Sequence, residues 1–239
     1  MVRGLGALVL VAALAGCGSK APATTTAPPP PKPFRIVFPE GFTRAEMAQR
    51  VQVVAKIAAK EHRGRPHLSE KTYLAASHPR RVRGFGPKAH ALEGFLFPAT
   101  YDFLPQTTSA QLVHAQLQAF AVNWQHVNLA YARSKNLTAY DVLTIASMIE
   151  KEAVVPSERK LIAAVIYNRL HAHMPLGIDA TIRYGLNVPG TKPLLQSELD
   201  SNTPYNTRKF VGLPPTPIAN PGLASLQAAA NPAKVNYLY

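Results

Sequence analysis

Two glutamates, Glu150 and Glu152, close the apolar stretch TIASMIEKEA, and a second helix signal, PSER, follows at once. A carboxyl at the edge of an apolar face loses part of its hydration, which raises its pKa. An acid tuned this way holds a proton near neutral pH and can hand it to a leaving oxygen. The position is otherwise unfavourable, because a helix C-terminus carries partial negative charge that disfavours acids. On a wheel of about 100° per residue, the apolar side chains from Val142 to Ala153 point one way, and Glu150 and Glu152 fall roughly 80° to either side. Thr144, Ser147 and Lys151 lie opposite and are expected to face water. Periodicity alone therefore does not choose between the two acids. The bland alternative is that both pair with Lys151, Arg159 or Lys160 at the helix junction. The histidines (His114, His126, His171, His173) show no metal-ligand spacing with acids, so neither a metal nor a cofactor is expected.

The elements that must position these acids are mostly helices. FRIVF, from Phe34 to Phe38, alternates weakly and predicts a strand, broken by Pro39-Glu40-Gly41. Thr43 and Glu46 form a capping box for a helix carrying Met47, Val51 and Val54 on one face. This strand-turn-helix reads as a small accessory lobe over residues 34–90. Its later part is irregular apart from a short helical piece near Lys71 to Ala76. Residues 91–103 read as buried turn and strand. Helical spacing then runs from Thr108 to Arg133. Thr138 and Asp141 cap the helix that bears the two glutamates, and a third helix runs from Pro156 to about Ala172. Beyond it the chain is rich in Pro and Gly and reads as turns. One helix remains, from about Gly222 to Ala230, and the ending VNYLY predicts the start of a strand. The expected fold class is α+β, a helix-rich domain over 91–239 with short strands and a small strand-helix lobe before it.

The ends and the charge bound the setting. MVRGLGALVLVAALAGC has one early arginine and an apolar run too short for the roughly 20 residues of a membrane span. Residues 1–16 read as a secretory signal, and LAGC resembles a bacterial lipobox that would place a lipid on Cys17. Cys17 is the only cysteine in the chain, so no disulfide is available. The Pro- and Thr-rich segment 17–33 has almost nothing large and apolar and reads as a tether. The formal charge of +13 argues for anionic surroundings. No zinc-finger spacing or basic heptad is present, and export argues against nucleic acid.

The blocks FPEGFTRAEMAQRV, LEGFLFPATYDF, ASMIEKEA, PSERKLIAAVIYNRL, MPLGIDATIRYGL and SNTPYNTRKFVGLPPTPIANPGLASLQAAANPAKVNYLY, in this order, resemble the endolytic murein transglycosylases of the YceG-like (MltG) family. The likeness runs from about Phe34 to Tyr239. The resemblance implies a lytic transglycosylase that cuts peptidoglycan strands internally and leaves 1,6-anhydro-muramyl ends. It implies that Glu152, the second acid of E-K-E, is catalytic, acting as acid and then as base. It also implies substrate-binding roles for Glu150, Asp179, Thr181, Tyr184, Tyr205, Asn206, Thr207 and Asn220. A two-carboxylate hydrolase would need a partner acid; Glu93, Asp179 and Glu198 are the candidates, and Asp179 reads as a positioning group. Expected partners are glycan strands, the membrane through the lipid anchor at its extracytoplasmic face, and peptidoglycan synthases. Gly177 and Ala180 depart from the family, which favours a polar residue and a proline there. The family continues past Leu238-Tyr239, so the catalytic domain is expected to be truncated, and residues 34–90 resemble a reduced LysM-like region. The alternative is a non-catalytic peptidoglycan-binding lipoprotein that keeps the fold.

Overall fold

The computed structural model describes residues 33–61 and 66–239. The expected signal, Cys17 and the tether as far as residue 32 lie outside the described residues. Strand β1 (Phe34–Val37) buries Phe34 and Ile36 and exposes Arg35 and Val37, as a half-buried strand should. It pairs antiparallel with β4 (Thr100–Phe103), in a register that sets Phe34 opposite Phe103 with ring centroids 5.3 Å apart. Helix α1 (Arg44–Lys60) starts at the Thr43/Glu46 capping box read from the sequence. Helix α2 (Glu70–Ala76) is capped by Ser69 and Thr72, and two short strands, β2 (Arg80–Arg81) and β3 (Ala89–His90), pair with each other.

The boundary expected at residue 90 does not break the core. The β1–β4 ladder crosses it, and one hydrophobic cluster runs from Phe34 through Leu92 and Phe95 to Ala230. Tyr73 of α2 sits inside that cluster, its hydroxyl 2.6 Å from the buried Gln116 side chain.

The single helix expected over 108–133 is two. Helix α3 (Ser109–Trp124) ends, and α4 (Ala130–Ser134) begins where the Asn128 side chain accepts from the Ala130 N–H. Helix α5 (Ala139–Glu152), capped by Thr138 and Asp141, is the central element. All eight residues from Val142 to Ile149 are buried. Thr144 and Ser147 therefore do not face water. Each hydroxyl donates back to its own helix, to the Tyr140 and Thr144 carbonyls, and Ser147 Oγ also accepts from the Ile218 N–H. The segment after residue 211 covers the face that a two-sided wheel leaves to solvent.

A 3₁₀ turn (Pro156–Glu158) leads into α6 (Arg159–His171). The region read as turns contains two more helices, α7 (Asp179–Leu186) and α8 (Gln196–Leu199). Helix α7 is held by contacts distant in sequence: Thr207 Oγ1 accepts from the Ile178 N–H at 3.0 Å and bonds Thr181 Oγ1 at 2.9 Å. Helix α9 (Leu223–Ala230) packs along α5. The final VNYLY forms no strand. The result is an α+β fold dominated by helices. No helix of the described residues is long and apolar enough to cross a membrane.

Candidate active site

The two glutamates that the wheel left equivalent have opposite surroundings. Glu150 turns inward, with a side chain only 7% exposed. Its carboxylate accepts from the Gly222 N–H at 2.9 Å, at the start of α9, and lies 3.7 Å from the Arg159 guanidinium. Arg159 in turn donates to Ser225 Oγ on α9. Negative charge at a helix N-terminus is favourable, so Glu150 joins α5, α6 and α9. Glu40 completes this corner: its carboxyl occupies the space that a side chain at Gly222 would need. Burial, and then the charge of Glu150, raises the pKa of Glu40, while Arg159 opposes the rise.

Glu152 is the last residue of α5 and points to open surface. It forms no hydrogen bond or ion pair with any described residue. Protein nevertheless surrounds enough of its carboxyl to raise its pKa, and the nearby charge of Asp179 raises it further. A free carboxyl with an elevated pKa can both give and take a proton.

Asp179 opens α7, and Arg208 holds it through a 2.6 Å bond from Nε. The loop leading to it turns at Gly177, whose φ of +68° lies in the left-handed region. A side chain there would be strained, which gives a physical reason for glycine at this position. Gly177 also donates to the Thr207 carbonyl.

The remaining expected binding residues divide. Tyr184 and Tyr205 stand in one open cleft of about 630 Å³, their rings edge to face at 5.2 Å. Gly185 permits this, since a Cβ there would come within 2.7 Å of Tyr205. Thr181 and Thr207 are buried and bond each other, so they brace α7. Asn206 is fully buried; its amide donates to the Leu199 and Ser201 carbonyls, and its oxygen accepts from the Arg208 N–H. Asn220 is likewise buried, and its side chain ties Leu96, Phe42 and Glu93 together. These four hold the scaffold and offer no free group to a ligand.

Glu93, weighed from sequence only as a second acid, is a hub. It is 4% exposed and accepts from the Arg44 N–H, the Tyr184 hydroxyl and the Asn220 amide. Burial pushes its pKa up to about 7 against the pull of those donors. A lone acid inside the apolar run ALEGFLF was the available signal. Its partners come from three distant segments and could not be read locally.

The YceG-like family profile matches residues 20–239. The chain is 35% identical over 220 residues to an endolytic murein transglycosylase of Streptococcus pneumoniae R6, covering 85% of this chain and 39% of that protein. It is 39% identical over 151 residues to a protein of the same name from Bacillus subtilis 168, covering 63% and 41%. The chain thus spans about two fifths of the length of these curated relatives. A crystal structure of a YceG-like protein from Listeria monocytogenes aligns with a TM-score of 0.69 at 31% identity, over 87% of this chain and 69% of that one. With six ordered sequence blocks, a shared fold and a matching profile over most of its length, the chain belongs to the YceG-like family.

Proposed function

We propose that this chain cleaves peptidoglycan glycan strands internally as a lytic transglycosylase, with Glu152 as its single acid-base group. The observation that carries this reading is the contrast within E-K-E: Glu150 is consumed by Gly222 and Arg159, whereas Glu152 is unpaired, open to a ligand and raised in pKa. The names of the relatives supply the substrate class.

In this scheme protonated Glu152 donates to the oxygen joining the muramyl C1 to the glucosaminyl unit. The C1–O bond breaks, and C1 takes on oxocarbenium character. Glu152, now a carboxylate, removes the proton of the muramyl 6-hydroxyl as that oxygen bonds C1. The anhydro ring closes without water, and Glu152 regains its proton. Asp179 acts through charge: it favours the protonated form of Glu152, and Arg208 fixes its direction.

Mass spectrometry of digested peptidoglycan tests the scheme. The native chain should generate 1,6-anhydro ends, and Glu152→Gln should lose at least about 100-fold in rate, the usual size of a general acid-base contribution. Reducing ends would mean hydrolysis, and absence of new ends would mean a binding protein. The LAGC motif supports a location at the extracytoplasmic face of the cell membrane through a lipid on Cys17.

A further inference from the structure

The cleft that holds Tyr184 and Tyr205 has a charge pattern the proposed chemistry does not use. Its walls are the first turn of α1, Lys151 of α5, and α7 with the loop that follows it. Lys151 reaches over Gly41 and donates once, to the Gly41 carbonyl at 3.3 Å. An ammonium has three N–H groups, so two remain for a ligand. Arg183 donates through Nη1 to the Pro189 and Lys192 carbonyls. Neither cation forms an ion pair with any described residue. Arg44 also lines the cleft, bonding the Leu74 carbonyl and Ser77 hydroxyl.

The carboxyls in the same walls are already engaged. Glu46 closes the α1 capping box through the Thr43 N–H. Glu93 is saturated by Arg44, Tyr184 and Asn220, and burial keeps part of it neutral near pH 7. Unpaired cations thus outnumber free carboxylates in a cleft of about 630 Å³, a volume typical of ligand pockets. Such a cleft suits a carboxylate-bearing ligand, and the paired tyrosine rings suit small apolar side chains.

Position indicates which ligand. Lys151 immediately precedes Glu152, and Ala180, also in the wall, immediately follows Asp179. A muramyl unit with its C1 at Glu152 carries a peptide on the lactyl group two ring carbons away. We propose that this cleft is the subsite for that stem peptide, with Lys151 and Arg183 receiving its carboxylates. The inference rests on Glu152 being the acid, and it makes the enzyme selective for peptide-bearing over stripped glycan.

The test compares glycan strands bearing stem peptides with the same strands stripped by an amidase. The native chain should favour the peptide-bearing strands by on the order of tenfold in kcat/KM, the worth of one charge-assisted contact. Lys151→Gln should bring that ratio close to one, and Arg183→Gln should act in the same direction. In parallel, muramyl dipeptide should bind the native chain by calorimetry more tightly than the peptide-free sugar chitotetraose, and Lys151→Gln should erase the difference. Anhydro ends formed equally fast from both strands would overturn the subsite while leaving the proposed activity standing. If neither strand yields anhydro ends, the activity falls, and the binding comparison alone decides whether the cleft reads peptide: equal binding of the two probes overturns it.

Discussion

At the scale of single residues, the proposed chemistry turns on how one carboxyl keeps its proton. Glu152 has its pKa raised first by burial and then by Asp179. Replacing Asp179 with Asn removes the like charge, which favours the ionised acid. The alkaline limb of the pH-rate profile should therefore move to lower pH in Asp179→Asn, measured as kcat for anhydro-product release. Glu93 makes a separate prediction. Its pKa is about 7 in the folded chain against 4.5 ordinarily. Below pH 4.5 folded and unfolded chains both hold the proton; between 4.5 and 7 only the folded one does. Stability contributed by Glu93 is thus complete at low pH and is lost as pH rises to about 7, by roughly 3 kcal/mol in all. Glu93→Gln should flatten that part of the curve in denaturant unfolding followed from pH 4.5 to 7.5.

At the scale of elements, the join between α5 and α9 sets the direction of the end of α5 that carries Glu152. Gly222 donates to Glu150, Arg159 lies beside it from α6, and Glu40 fills the gap above Gly222. Removing a partner from a buried ion pair strands the other charge, at a cost of several kcal/mol in well-formed cases. The 3.7 Å separation is long, so Glu150→Ala should lose about 2–3 kcal/mol, seen as a lower unfolding midpoint in urea. This corner also explains what the wheel left open. A helical projection knows only its own helix, and the asymmetry between Glu150 and Glu152 comes from residues 40, 159 and 222. The same division runs through the fold. Capping boxes at Thr43/Glu46 and Thr138/Asp141 were legible because they are local. Helix α7 was not, because it is short and rests on Thr207. Asp179 in its first turn and left-handed Asn187 at its end were the weak signals available.

At the scale of the whole molecule, family and α+β class were readable from ordered blocks, because those blocks are the segments that meet around α5. The burial of Asn206 and Asn220 was not, since polar turn residues look alike whether they serve a ligand or the scaffold. The formal charge of +13 favours anionic surroundings. If a lipid on Cys17 tethers the protein, Cys17→Ala should move most of it from the membrane pellet to the soluble fraction on fractionation. The segment around residue 41 carries a broader consequence. The Gly41 N–H donates to the Asn220 carbonyl, and the Asn220 N–H to the Phe42 carbonyl, so early and late parts of the chain are stitched together beside Glu150 and Lys151. Synthesis on the ribosome therefore cannot complete this corner until residue 220 has emerged. A chain stopped short of residue 220 should therefore lack the stitch that braces Glu150 and Lys151, and with it the support of the proposed cutting edge.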